Sequence, residues 1–177
     1  MAEFGPSSLS KFISEFKGGN RAHRYKVSGD IGKSDPSRGL NKFFVRAVSL
    51  PPSQVNEIRV PYRGRILKWP GDRVYQPWTI RILDENGNDN NLWKAFHRWS
   101  NDINDHIEND QKLDNLNDFA VDWTIEQVDE KEDTTKKIEL IGCWPSLVGP
   151  IDMDANAVDT LVEFNVVVNY QYYEVTT

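Results

Sequence analysis

The chain has 177 residues, 38% of them hydrophobic and 27% charged, which fits one globular domain over 1–177 and excludes a disordered chain. The formal net charge of −6 and a pI near 5.1 argue against a protein that grips nucleic acid tightly. A single cysteine excludes an internal disulfide; Cys143 reads as a reduced core thiol, and its spacing to His23, His97 and His106 matches no metal motif.

The first residues show no basic region followed by an apolar one, and no run reaches the roughly 18 apolar residues of a membrane span. The expectation is a soluble protein, cytoplasmic in the cell that makes it, with no membrane insertion. The first predicted element is a short N-terminal helix or arm within 1–19. Pro6, Ser7 and Ser8 supply start signals, Leu9, Phe12, Ile13 and Phe16 recur at helical spacing, and Gly18-Gly19 stops it. Such a helix can dock on its own domain or on a neighbouring copy. Residues 22–31 alternate as a strand, 32–40 form a loop that lacks the ending of a phosphate-binding loop, and 41–50 form a second strand ended by Pro51-Pro52.

Three extended stretches follow, around Ile58–Tyr62, Arg65–Trp69 and Trp78–Leu83, and Pro61 is tolerated there only at an edge or bulge. Residues 55–73 read as an extended hairpin arm that carries Arg59, Arg63, Arg65 and Lys68, basic within an acidic chain. Residues 86–91 form a turn whose Gly87 is in the wrong place for a calcium loop. Leu92, Phe96, Trp99, Ile103 and Ile107 then make one helical face over about four turns, with His97 and His106 off it as ordinary surface residues. In 119–128, Phe119, Val121, Trp123 and Ile125 point one way while Asp122, Thr124 and Glu126 point the other. Residues 136–144 return as the hairpin partner, and 160–175 alternate again, with Val162, Phe164, Val166, Val168 and Tyr170 opposite Glu163, Asn165, Asn169 and Gln171. The total is about seven strands and two helices: a mainly β chain, an antiparallel β-sandwich or barrel with a flanking helix.

Between the last two strand regions lies IGCWPSLVGPID, residues 141–152. It reads as a structural corner by which the chain leaves one sheet and enters the next. Gly142 and Gly149 allow unusual backbone geometry, Pro145 and Pro150 fix it, and Trp144 anchors it by burial. No nucleophile elbow, zinc-protease motif or nucleophile–base pair is present, and no motif calls for a cofactor. The expectation is a non-enzyme built for assembly; a β-sandwich binding module for carbohydrate is the alternative from a different class.

The phrase LIGCWPSLVGPIDMD resembles the tail tube protein family of contractile-tailed bacteriophages. In the same order along the chain, Leu50-Pro51-Pro52, Val60-Pro61, Gly71-Asp72-Arg73, WTIRILDE at 78–85 and FNVVVNYQYYE at 164–174 are similar to that family's motifs. The resemblance covers roughly residues 20–174. It implies a β-sandwich-like subunit of hexameric rings that stack into a tube inside a contractile sheath, with sheets joined across subunits into one lumen-lining β-barrel. The implied partners are sister subunits, the tail sheath protein, the tape measure protein, the baseplate tube initiator and the tail terminator, with transient, non-specific passage of double-stranded DNA. The implied location is the virion tail, with assembly in the host cytoplasm. Related tubes serve type VI secretion and extracellular contractile injection systems.

Six copies at −6 each give a ring of about −36, and an acidic lumen lets DNA slide rather than stick. The polar strand faces nominate Asp122, Glu126, Glu139, Glu163, Asn165 and Asn169 for the lumen. The basic arm at 55–73 is then a stacking arm against the acidic rim of the next ring.

Overall fold

Period-two alternation and a few caps decide where the elements begin and end. The computed structural model describes residues 6–16, 19–33, 39–40, 44–86, 91–111 and 115–176. In chain order the elements are α1 (Pro6–Glu15), β1 (Tyr25–Asp30), β2 (Gly39–Leu40), β3 (Val45–Val48), β4 (Gln54–Tyr62), β5 (Arg65–Val74), β6 (Trp78–Leu83), α2 (Leu92–Ile103), α3 (Leu116–Phe119), β7 (Val121–Val128), β8 (Thr134–Val148), β9 (Glu163–Asn169) and β10 (Tyr172–Thr176). Of the features read from the sequence, the stop at Gly18, most of the 32–40 loop, the start of the 41–50 strand, the turn at 87–90 and the polar stretch at 112–114 lie outside the described residues.

Antiparallel pairing runs in the order β2-β1-β7-β8-β9-β6-β3, with β10 also on β8. The first half of β8 pairs with β7 and β10; its second half pairs with β9. The path therefore divides at β8 into two layers, β2-β1-β7-β8-β10 and β8-β9-β6-β3. They face each other across one core, where Trp78 of β6 meets Trp123 of β7 edge-to-face at 5.8 Å. Helix α2 closes the side of this core. Its N-cap Asn91 accepts the Lys94 N–H at 2.9 Å, and Leu92, Phe96 and Trp99 are buried.

Three indoles are buried in this core, and each finds an acceptor for its N–H. Trp78 donates to the Ser49 carbonyl at 2.6 Å, Trp99 to Phe119 at 2.9 Å and Trp123 to Asp30 at 2.8 Å. The Trp123 ring lies over Gly29, where an added Cβ would come within 2.1 Å of the indole, so β1 passes only as glycine.

Several sequence expectations need correction. The middle helix stops at Ile103 instead of reaching Ile107: Asn104 is extended, the Asp105 carboxylate caps the N–H groups of Ile107 and Glu108, and Ile107 is exposed. Phe119 ends the short helix α3 instead of starting a strand. Val162 lies outside β9 and is partly exposed, and the last strand is two strands broken at Tyr170-Gln171. Among the described residues the sheets hold ten strands rather than about seven, because β2 is an added two-residue strand and the last strand is two.

The burial expected of Trp144 is also corrected. Along β8, Ile138 and Leu140 face the core, then Cys143 and Pro145. The inward phase changes from even to odd numbers across Gly142, because β8 carries one extra residue there: three steps from Leu140 to Cys143 stand against two from Trp123 to Val121. A one-residue insertion flips the side chains that follow it, here as far as the next register shift, between Pro145 and Leu147, so Trp144 turns half outward and Cys143 takes the fully buried place. Gly142 holds the bulge with φ +70°, a backbone conformation that glycine adopts without penalty. β9–β10 shifts phase in step: Val168 and Tyr170 face inward, then Tyr173 packs against the core. Tyr75, Tyr170 and Tyr173 close the corner edge-to-face, with ring centres 5.7 to 6.3 Å apart.

Core burial therefore separates the two tryptophans. Trp123→Ala is expected to cost about 3–5 kcal/mol and Trp144→Ala about 1–2 kcal/mol, read as urea-denaturation midpoints on unassembled protein. Equal costs would contradict the phase change at Gly142.

Candidate functional site

The surfaces left uncovered by the core are the functional candidates. The hairpin β4–β5 turns through Arg63 (φ 44°) and Gly64 (φ 77°), the two positive angles of a type I′ turn, whose twist matches the strands. Among the described residues it pairs only with itself, so Pro61 sits on an edge, as its missing N–H requires. Register divides it into two faces. Glu57, Arg59, Pro61, Ile66, Lys68 and Pro70 share one; Ile58, Val60, Tyr62, Leu67 and Trp69 share the other, with Arg65 at its tip.

The arm is thus less basic than its composition implied. Arg59 and Lys68 both pair with the Glu57 carboxylate, Lys68 at 3.2 Å, and the Arg63 guanidinium lies 5.5 Å from the Tyr62 ring centre. The five apolar side chains of the other face are each 45–65% exposed. Sequence reasoning followed the charges and missed this stripe, although the alternation Ile58-x-Val60-x-Tyr62 and Leu67-x-Trp69 carries it. A two-stranded ribbon alone in water is marginally stable, and uncovered stripes of this kind mark interaction surfaces.

The six polar strand residues do not come together on one surface. Asp122, Glu126 and Glu139 lie on the outer face of the β7–β8 layer, where Lys26, Glu126 and Lys137 form one cross-strand row and Thr124, Glu139 and Glu174 the next. Glu163, Asn165 and Asn169 lie on the outer face of the β9–β6 layer. There Arg46 pairs with Glu163 at 3.0 Å and Arg81 reaches both Glu163 and Asn165. The first face is acidic; on the second, two arginines share the one carboxylate of Glu163. Among the described residues, β3 and β10 each pair on one side only, which leaves open edges in both layers.

The corner residues have local partners. The Asp122 carboxylate accepts the Gly142 N–H at 2.9 Å and so holds the bulge. Pro145 is buried opposite Val168, and the Gly149 N–H donates to the Asn165 carbonyl at 2.7 Å, too close for a Cβ. Burial, with help from Asp122, pushes the Cys143 thiol up to about 12, which keeps it protonated and inert. An open groove of about 810 Å³ beside the corner is lined by Asp30, Lys33, Asn117, Asp122 and Gln171. On α2, the His97 ring packs at a tilt against Trp93, with centres 4.0 Å apart; burial and the nearby His106 lower its pKa. No group of three or more metal-ligating side chains occurs among the described residues.

Asp122→Ala leaves the buried Gly142 N–H unpaired and is expected to lower stability by about 1–3 kcal/mol, whereas Glu126→Ala on the same face is expected to stay within about 0.5 kcal/mol. Thermal and urea unfolding of the two variants side by side check this; equal effects would mean that the carboxylate does not support the bulge.

Comparisons with known proteins agree with the fold. A family model described as "Phage tail tube protein" matches residues 12–176. The tail tube protein of Serratia phage KSP90 is 27% identical over 169 residues, covering 89% of this chain and 93% of the relative. That of Enterobacteria phage T4 is 26% identical over 133 residues, covering 75% and 80%. Among solved structures, the fold is similar to a chain from the sheath/tube terminator of the PVC extracellular contractile injection system, with TM-score 0.68, 16% identity and 92% and 99% of the two chains covered. It is also similar to a chain from the anti-feeding prophage baseplate, with TM-score 0.64, 15% identity and 91% and 97% covered. The chain belongs to the phage tail tube protein family.

Proposed function

We propose that this chain, as one tube domain over 1–177, is the structural subunit of the tube of a contractile phage tail. Copies close into six-membered rings, sheets join across subunits through their open edges, and the rings stack into the conduit for DNA ejection. The observation that carries this reading is the arm: a self-paired ribbon with five exposed apolar side chains and no cover among the described residues. Such a surface suits permanent burial in an assembly. The sheath outside, the tape measure protein inside and the initiator and terminator at the two ends complete the proposed partners. No cofactor and no catalytic step enter this function. The likeness to chains from injection-system structures favours a second reading of the same kind, a tube subunit of an extracellular contractile injection system.

Only one of the two layers can line the lumen, so the six nominated residues divide. We assign the lumen to Glu163, Asn165 and Asn169, because the arm that links rings grows from β3 and β6 of their layer. That face carries amides and paired charges, which give DNA no row of free cations to bind. Asp122, Glu126 and Glu139 then lie away from the bore.

Two experiments test the proposal. Negative-stain electron microscopy of purified protein is expected to show rings and hollow tubes of uniform width. Arg65→Glu, at the tip of the arm, is expected to leave folding intact and stop growth at rings; tubes that form normally would remove charge from the stacking contact. In assembled tubes, Asn165→Cys is expected to resist a maleimide too bulky for the bore while Glu126→Cys reacts. The reverse pattern would move the lumen to the other layer.

A further inference from the structure

The chain carries a second uncovered apolar surface besides the arm. On α1, Leu9, Phe12, Ile13 and Phe16 are each 56–65% exposed, and the Phe12 and Phe16 rings stack at 5.2 Å and 11°, forming one flat aromatic patch. Exposure of all four shows that none of the described residues covers the stripe. We propose that α1 of one copy lies along the apolar face of the β4–β5 hairpin of another copy in the stacked tube. This rests on the tube reading above and names what covers the arm.

Four observations select a second copy as the occupant. The two surfaces occur once each per chain, so a repeating stack covers every stripe and leaves none over. Their lengths match: the helical stripe from Leu9 to Phe16 spans about 10 Å, and the ribbon face from Ile58 to Tyr62 about 14 Å. Their shapes match, because a two-stranded ribbon presents a shallow face, Trp69 and Leu67 beside Ile58 and Val60, that accepts one helix side. Their charges match as well. The C-terminal end of α1, partially negative from the helix dipole, bears Glu15, 4.0 Å from Lys11, and the tip of the hairpin bears Arg63 and Arg65. The helix therefore lies with its C-terminal end toward the turn of the hairpin. Burying nine large apolar side chains together supplies a hydrophobic contact that salt does not screen.

Disulfide trapping between differently labelled chains tests this. Cys143 is buried and its thiol is pushed up to about 12, so it stays silent. Chains with Phe12→Cys are mixed with chains with Leu67→Cys, assembled, confirmed as tubes by electron microscopy and oxidised with diamide. A covalent dimer of the two chains is expected, forming at least about tenfold faster than with Ile66→Cys, whose side chain lies on the opposite face of the hairpin, because a disulfide needs Cβ atoms within about 4.5 Å. An Ile13→Cys and Val60→Cys pair guards against loss of docking in one variant. Tubes that form without either bond, or that link Ile66→Cys equally well, overturn the helix–arm contact and leave the tube function standing. A protein that forms no tubes under any condition overturns both.

Discussion

The contact on which the remaining structure depends is the packing of the Trp123 ring between two sheets and a helix. Trp78 meets it from the opposite layer, Phe96 and Trp99 from α2, and β1 slides beneath it only because residue 29 has no side chain. Four elements far apart in sequence are thus fixed to one ring. The indole N–H is satisfied by the Asp30 carbonyl, so the burial carries no unpaired donor. A rigid centre of this kind suits a subunit that must repeat many times in one geometry.

From that centre the corner at Gly142 sets the shape of the subunit. An extra residue in β8 changes which side chains face inward, and the adjoining strand changes with it at Tyr170-Gln171. One strand pair thereby serves two layers, without a loop between them. The cost is a backbone N–H turned out of the ladder, and Asp122 satisfies it. A carboxylate on an alternating polar face thus serves the fold itself, even though its position along the strand looks like that of its neighbours.

What the core does not bury is as informative as what it does. The described residues leave a ribbon with an apolar face, a helix with an apolar stripe, and open strand edges in both layers. Exposed in this way, they are a liability for a free monomer and an asset for a subunit. The proposed tube is a setting in which all three would be covered, and the charges that drew attention to the arm are secondary there, since Glu57 already pairs with two of the four cations.

The sequence by itself determined the β-rich class, the two helices, the hairpin at 55–73 and the family, because alternation, helical spacing, turn residues and ordered motifs are local signals that survive without coordinates. It also marked Gly142 as a place for unusual backbone geometry. Tertiary structure alone decided which side of each strand is inside. A bulge adds one residue without changing composition, so the inward phase passes to Cys143 and Pro145 and leaves Trp144, expected to anchor the corner by burial, half outward. The layers decided the rest: Asp122, Glu126 and Glu139 look equivalent to Glu163, Asn165 and Asn169 along the sequence, yet strand pairing sends them to different faces. Side-chain alternation is a property of one strand, whereas a surface is a property of its neighbours, and only the pairing of strands distant in the chain supplies those.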